Sequence, residues 1–189
     1  MTELPVQRML LRAIAVLEDL SLQYIIMGGF AVRNWGIPRP TYAADLAVAV
    51  SDEGLLGLLQ ALAKAGFDVP EEHEGGFQDT VGGLKKVKVT QFAVSTVWEI
   101  DLFLVRGAFL EGALNRRRRR TLEGRSVWVA APEDLIVLKL MAFRRKDQLD
   151  IEEILKINPD LDRSYLQDWA ERLGLARRLA AFLPDVRSS

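Results

Sequence analysis

Between Pro5 and Leu20, apolar side chains return every three or four positions, with Met9, Leu10, Ala13, Ile14 and Leu17 on one face. This spacing predicts an amphipathic helix, with Pro5 tolerated near its first turn. Tyr24 to Met27 is a short apolar run that predicts a buried strand, stopped by Gly28-Gly29, with a second helix starting at Phe30 and running to Trp35. From Asp45 to Val50 the period changes to two. Leu46, Val48 and Val50 share one face of a predicted strand, while Asp45, Ala47 and Ala49 share the other.

Asp52 is placed to cap a helix carrying Leu55, Leu58, Leu59 and Leu62, ended by Gly66. After a loop rich in glutamate and glycine, Lys85–Val89 and Phe92–Val105 read as strands. Gly107–Leu114 reads as a short helix. Thr121-Leu122 and Ser126–Val129, joined by Glu123-Gly124, read as a hairpin. Pro132-Glu133-Asp134 is a helix start, with proline in the first turn and acidic residues at the positive dipole end. Further helices follow, with Asp162 as a cap and Gly174 as a stop. Strands lie before Ala130 and helices after it. The expected fold is therefore α+β, with a core at 1–130 and a helical C-terminal lobe at 131–189 packed on it.

The chain has 189 residues, 49% of them hydrophobic, enough for one sizeable core. A net charge of −1 and a pI near 5.9 argue against a surface that is basic throughout, but not against a local basic patch. There is no cysteine and one histidine, His73, so thiolate and histidine metal sites are excluded, and any metal must be held by oxygen. Glu3, Arg8, Arg12, Glu18 and Asp19 interrupt the N-terminal apolar pattern, unlike a signal peptide or a membrane span. The expectation is a cytoplasmic protein with no membrane partner.

Three features carry candidate chemistry. Glycines between a strand and a helix let a bound group approach the backbone where helix N–H groups are unpaired. Asp45 and Asp101 lie on predicted strands, and Asp101 interrupts an apolar run, where a metal or a cation would offset its charge. The segment Met27-Gly28-Gly29-Phe30-Ala31, then Gly36, Arg39 and Thr41, then Asp45-Leu46-Ala47-Val48, resembles the polymerase-β-like nucleotidyltransferases, in particular the short bacterial group related to abortive-infection and toxin–antitoxin enzymes. Trp98-Glu99-Ile100-Asp101-Leu102, Pro132-Glu133-Asp134-Leu135, Lys139-Leu140 and Arg144–Ile151 extend the resemblance toward Leu155.

The resemblance implies a nucleotidyltransferase-like mixed sheet flanked by helices, NTP as substrate and Mg²⁺ or Mn²⁺ as cofactor. It implies Asp45 and Asp101 as metal ligands, with Asp101 also accepting the proton of an attacking hydroxyl. Gly28, Gly29, Arg39, Thr41, Lys139, Arg144 and Asp147 become candidate nucleotide-binding residues. The pattern G-x-x-R-x-T-x-D-x-D-L has its first aspartate at Ala43. A methyl group cannot coordinate a metal, so weak transfer is expected, either through natural loss or through a deliberate replacement. The leading expectation is a toxin-like enzyme transferring a nucleotidyl group to a hydroxyl, with tRNA as the expected acceptor. One alternative is an inactive nucleotide-binding or antitoxin-like module with a cognate toxin or antitoxin partner; another is modification of an antibiotic.

Several residues also have plain structural readings. Arg116–Arg120 reads either as an exposed edge strand protected by charge or as a contact for RNA phosphates. Lys139 either extends its ammonium to solvent or meets phosphate. Arg144, Arg145, Lys146, Asp147 and Asp150 suit a solvated, salt-bridged helix face. His73 reads as a loop surface residue. Trp35, Trp98, Trp128 and Trp169 read as packing residues.

Overall fold

The computed structural model describes residues 6–37, 41, 43–70, 79–81, 83–92 and 97–183. Arg39, His73 and the terminal serines lie outside the described residues. In chain order the elements are α1 (Val6–Asp19), β1 (Tyr24–Met27), α2 (Gly28–Trp35), β2 (Ala43–Val48), α3 (Asp52–Lys64), β3 (Asp79–Val81), β4 (Leu84–Phe92) and β5 (Val97–Leu104). There follow α4 (Gly107–Arg116), β6 (Arg118–Leu122), β7 (Arg125–Val129), α5 (Pro132–Ala142), α6 (Arg145–Ile157), α7 (Arg163–Arg172) and α8 (Ala176–Ala180). This is the α+β arrangement expected, with the strands of the described residues all before Ala130 and four helices after it.

The strands form one mixed seven-stranded sheet in the order β3-β4-β5-β2-β1-β7-β6. β2 runs parallel to β5 and β1 runs parallel to β7; the other neighbours are antiparallel. β1 is buried at all four positions, as befits a central strand with an unbroken apolar sequence. β2 alternates at its start, with Ala43 and Asp45 partly accessible and Ala44 and Leu46 buried. The parallel register aligns Ala43 with Glu99 and Asp45 with Asp101. Those four side chains therefore project from the same face of the sheet.

The predicted stripe of α1 is buried in full, together with Val6. α1 packs against β2, β5 and α3, while α2 packs against β1, β2, α5 and α6. α5 is apolar almost all round, and its Leu135, Ile136, Val137 and Leu140 are fully buried. Apolar residues of the sheet and of the C-terminal helices belong to one cluster. Polar contacts reinforce that junction. Arg116 donates to Glu133 at 3.0 Å and to Asp134 at 3.4 Å, lies 3.9 Å from the Tyr165 ring centroid, and Tyr165 donates its hydroxyl to Asp134. Burial raises the Asp134 carboxyl above its ordinary value despite these donors.

Several boundaries differ from the sequence reading. α2 begins at Gly28 rather than Phe30, and β2 begins at Ala43 and ends at Val48. The cap of α3 is Ser51, whose hydroxyl accepts from the Gly54 N–H at 3.1 Å, so Asp52 is the first helical residue. The long strand expected from Phe92 divides, because Phe92 ends β4 and β5 starts at Val97. Arg116 ends α4 and only Arg118–Arg120 of the arginine run are in a strand. The hairpin turn is as expected, with Glu123 and Gly124 both at positive φ, 47° and 78°.

Candidate active site

Asp45 projects from the middle of β2 beside the start of α2. Gly28 has φ +58°, and a Cβ placed on it would lie 1.8 Å from Asp45 Oδ2. A Cβ on Gly29 would lie 2.7 Å from Thr41 Oγ1. The glycine pair thus has a definite local duty: it makes room for the Asp45 carboxylate and the Thr41 hydroxyl at a helix N-terminus. Among the described residues, Asp45 has no hydrogen-bonded or ion-paired partner. Burial first, and the neighbouring charge of Asp101 second, push its carboxyl up to about 6; the charges of Lys139, Arg144 and Lys146 pull the other way.

Asp101 is not alone. Lys86 on β4 donates to its Oδ1 at 2.9 Å. The cation anticipated beside Asp101 is therefore a lysine of the chain itself. On the same sheet face, two residues later on β4 and two earlier on β5, Lys88 donates to Glu99 at 3.1 Å in a more exposed pair. Lys86 and Glu99 were not singled out from the sequence. Their signal was present as K-x-K and E-x-D, each of which puts two charges on one strand face, but pairing them required the register of β4 on β5.

A cavity of about 200 Å³ opens between this sheet face and the helices. Its walls include Gly28, Asp45, Lys86, Asp101, Lys139, Arg144 and Asp147. The fold thus gathers most of the expected site residues around one space. Gly29 and Thr41, which stand against each other, are not part of its lining, and Arg39 lies outside the described residues.

The helical side of the cavity corrects two readings. The Lys139 ammonium does not extend to solvent; it is buried between Asp147 at 3.0 Å and Asp150 at 2.6 Å. Asp147 and Asp150 are buried too, so α6 does not present them on a solvated face. Asp147 also accepts from Arg144 Nε at 2.7 Å and from the Arg144 backbone N–H at 3.1 Å, which closes the start of α6. Burial opposes the Asp147 charge, but the hydrogen bonds and charges of Arg144 and Lys139 outweigh it and hold its carboxyl below the ordinary value.

The donor set can be tested against a divalent metal. Mg²⁺ requires a near-octahedral shell of oxygens. Here β2 and β5 offer Asp45 and Asp101, Ala43 offers none, and one Asp101 oxygen is already taken by Lys86. Among the described residues, no three carboxylate or histidine side chains gather to hold a metal ion. The residues present do not fit the metal-bridged site implied by the sequence pattern.

The arginine run lies at the other end of the sheet. β6 is an edge strand, in line with the protective reading. Arg117 and Arg119 stack on Trp128 at 4.6 and 4.4 Å, and Arg120 stacks on Trp35 at 4.1 Å. Trp35, Trp98, Trp128 and Trp169 all pack against the core.

The fold is nucleotidyltransferase-like. Residues 84–174 match a family model described as "Nucleotidyl transferase of unknown function (DUF2204)". That stretch contains Lys86, Asp101, Lys139, Arg144 and Asp147, and leaves out Gly28, Ala43 and Asp45. A search of the curated proteins gives no match. Among solved structures, an antigenic nucleotidyltransferase-like protein from Paracoccidioides brasiliensis superposes with TM-score 0.54 at 19% identity, over 95% of this chain and 93% of that one. The antibiotic-resistance factor ANT(2'')-Ia gives TM-score 0.55 at 16% identity, over 95% of each chain. The lincosamide antibiotic adenylyltransferase LnuA gives TM-score 0.55 at 12% identity, over 82% of this chain and 99% of that one. At these identities the likeness is one of fold. No helix among the described residues is long and apolar enough to cross a membrane.

Proposed function

We propose that the cavity beside Gly28 binds a nucleoside triphosphate, and that the chain is a nucleotidyltransferase whose transfer to a hydroxyl is impaired by Ala43. The observation that carries this reading is the register of Asp45 with Asp101 on parallel strands, opening to a cavity that also holds Lys86, Lys139 and Arg144. At about 200 Å³ the space is smaller than the roughly 300–1,000 Å³ of pockets that enclose a whole drug-sized ligand. It suits the phosphates, with the nucleoside at the open side. The α2 N-terminus adds unpaired N–H groups on the same side.

The test is calorimetric titration with each of the four ribonucleoside triphosphates, at concentrations up to the millimolar range. Absence of heat with all four ends the reading. For the chemistry, Ala43→Asp is expected to raise transfer of labelled nucleotide above that of the parent, with Mg²⁺ or Mn²⁺ supplied. The acceptor is proposed to be a polyanion such as tRNA, as in a toxin-like enzyme, because among the described residues Arg117–Arg120 have no carboxylate partner. Product analysis with tRNA, an aminoglycoside and a lincosamide separates this from antibiotic modification. The Lys86–Asp101 pair favours a second reading, a module that binds nucleotide without transferring it, as one member of a toxin–antitoxin pair. An Ala43→Asp variant that binds NTP but transfers nothing would support that second reading.

A further inference from the structure

We infer that Lys86 is a resident counter-ion standing in for a metal beside Asp101, so that this site accepts a polyphosphate without a divalent cation. The nucleotide part of this inference rests on the function proposed above; the metal part does not.

The antiparallel register of β4 on β5 sets Lys86 opposite Phe103, Lys88 opposite Asp101 and Thr90 opposite Glu99. Each lysine therefore reaches diagonally along one sheet face to a carboxylate, giving a ladder of two ion pairs. The rungs are not equivalent. Lys86 and Asp101 both line the cavity, and their side chains are 10% and 21% exposed; for Lys88 and Glu99 the values are 36% and 44%. Only the inner rung belongs to the site. Its ammonium sits 2.9 Å from Asp101 Oδ1, so a Mg²⁺ ion at about 2.1 Å from that oxygen would face a like charge in a partly buried space.

The charge pattern of the cavity points the same way. A wall of three free carboxylates repels a triphosphate until a divalent ion bridges them. Here Ala43 supplies no carboxylate, Lys86 neutralises Asp101, and Lys139 with Arg144 neutralises Asp147. Asp45 is the one carboxylate of the cavity wall left without a partner among the described residues.

The experiment compares the full-length parent with Lys86→Gln, Lys86→Arg and Lys88→Met. Calorimetry measures ATP and inorganic tripolyphosphate binding in EDTA and in Mg²⁺, and electron paramagnetic resonance measures Mn²⁺ binding without nucleotide. The parent is expected to bind ATP in EDTA within about threefold of its affinity in Mg²⁺, and to bind Mn²⁺ no better than a surface carboxylate does. Lys86→Gln, which keeps a hydrogen bond to Asp101 and loses the charge, is expected to bind ATP about tenfold more weakly in EDTA, to recover in Mg²⁺, and to gain Mn²⁺ binding. Lys86→Arg and Lys88→Met should keep the parental pattern.

A parent that loses more than about tenfold of its ATP affinity in EDTA overturns the inference, as does one that binds Mn²⁺ tightly alone. So does a Lys86→Gln variant that folds and gains no Mn²⁺ binding. If Lys86→Gln does not fold, the two parental measurements decide. If no polyphosphate binds under any condition, the proposed nucleotide function falls, and Mn²⁺ binding by parent and variant still decides the role of Lys86.

Discussion

Replacing Asp45 by asparagine should make the protein more stable at neutral and alkaline pH while removing a residue of the proposed site. The Asp45 carboxyl titrates at about 6 in the fold, against 3.8 for its ordinary value, because it is desolvated and faces Asp101. The folded state therefore holds a proton that the unfolded state releases between those two values, and stability falls as pH rises through that window. A shift of about two units corresponds to about 3 kcal/mol, the most that ionised Asp45 costs the fold at pH 8. At pH 4 the same linkage leaves only about 0.6 kcal/mol. Asparagine keeps the shape of the neutral acid, so Asp45→Asn should exceed the parent by about 2–3 kcal/mol at pH 8 and converge on it near pH 4. In melting temperature the gain at pH 8 is about 5–10 °C for a chain of this size. Urea unfolding of both proteins at pH 4, 5, 6 and 8 provides the check, since titrating groups that do not interact with Asp45 cancel in the difference. A variant less stable than the parent at pH 8, or a difference independent of pH, refutes the reasoning.

Gly28→Ala should displace Asp45, because the new Cβ falls 1.8 Å from Asp45 Oδ2 at a positive φ. The expected cost is at least about 1–3 kcal/mol in urea unfolding, with loss of NTP binding by calorimetry. Lys139→Met leaves Asp147 and Asp150 buried without that ammonium, and about 3–5 kcal/mol of stability should be lost. Adding Asp147→Asn and Asp150→Asn to it should return much of the loss, which thermal melts can follow. Ala43→Asp places a second carboxylate two residues from Asp45 on the same strand face, so its melting temperature at pH 8 should fall by about 2–5 °C and the deficit should shrink at pH 5.

The fold class and most elements were legible because they depend on periodicities that the chain displays locally. The buried stripe of α1, the unbroken apolar run of β1, the Glu123-Gly124 turn and the Pro132 start of α5 all needed no partner to be read. Gly28, Asp45 and Asp101 were legible as a group only through the family resemblance, and the fold does bring them to one cavity. Boundaries were less secure where two readings compete locally, as at Ser51 and Asp52, both of which are good caps.

What the sequence by itself determined, then, is a strand–glycine–helix start, two carboxylates on strands, and a methyl group at Ala43 on the same strand as Asp45. The tertiary structure decided how those charges are balanced. That Lys86 meets Asp101, and that Lys139 is enclosed by Asp147 and Asp150, depends on strand register and on helix packing across the cavity. Whether a carboxylate faces a metal, a lysine or nothing is set by its neighbours in space, because Coulombic and desolvation energies depend on distance and burial and not on sequence separation.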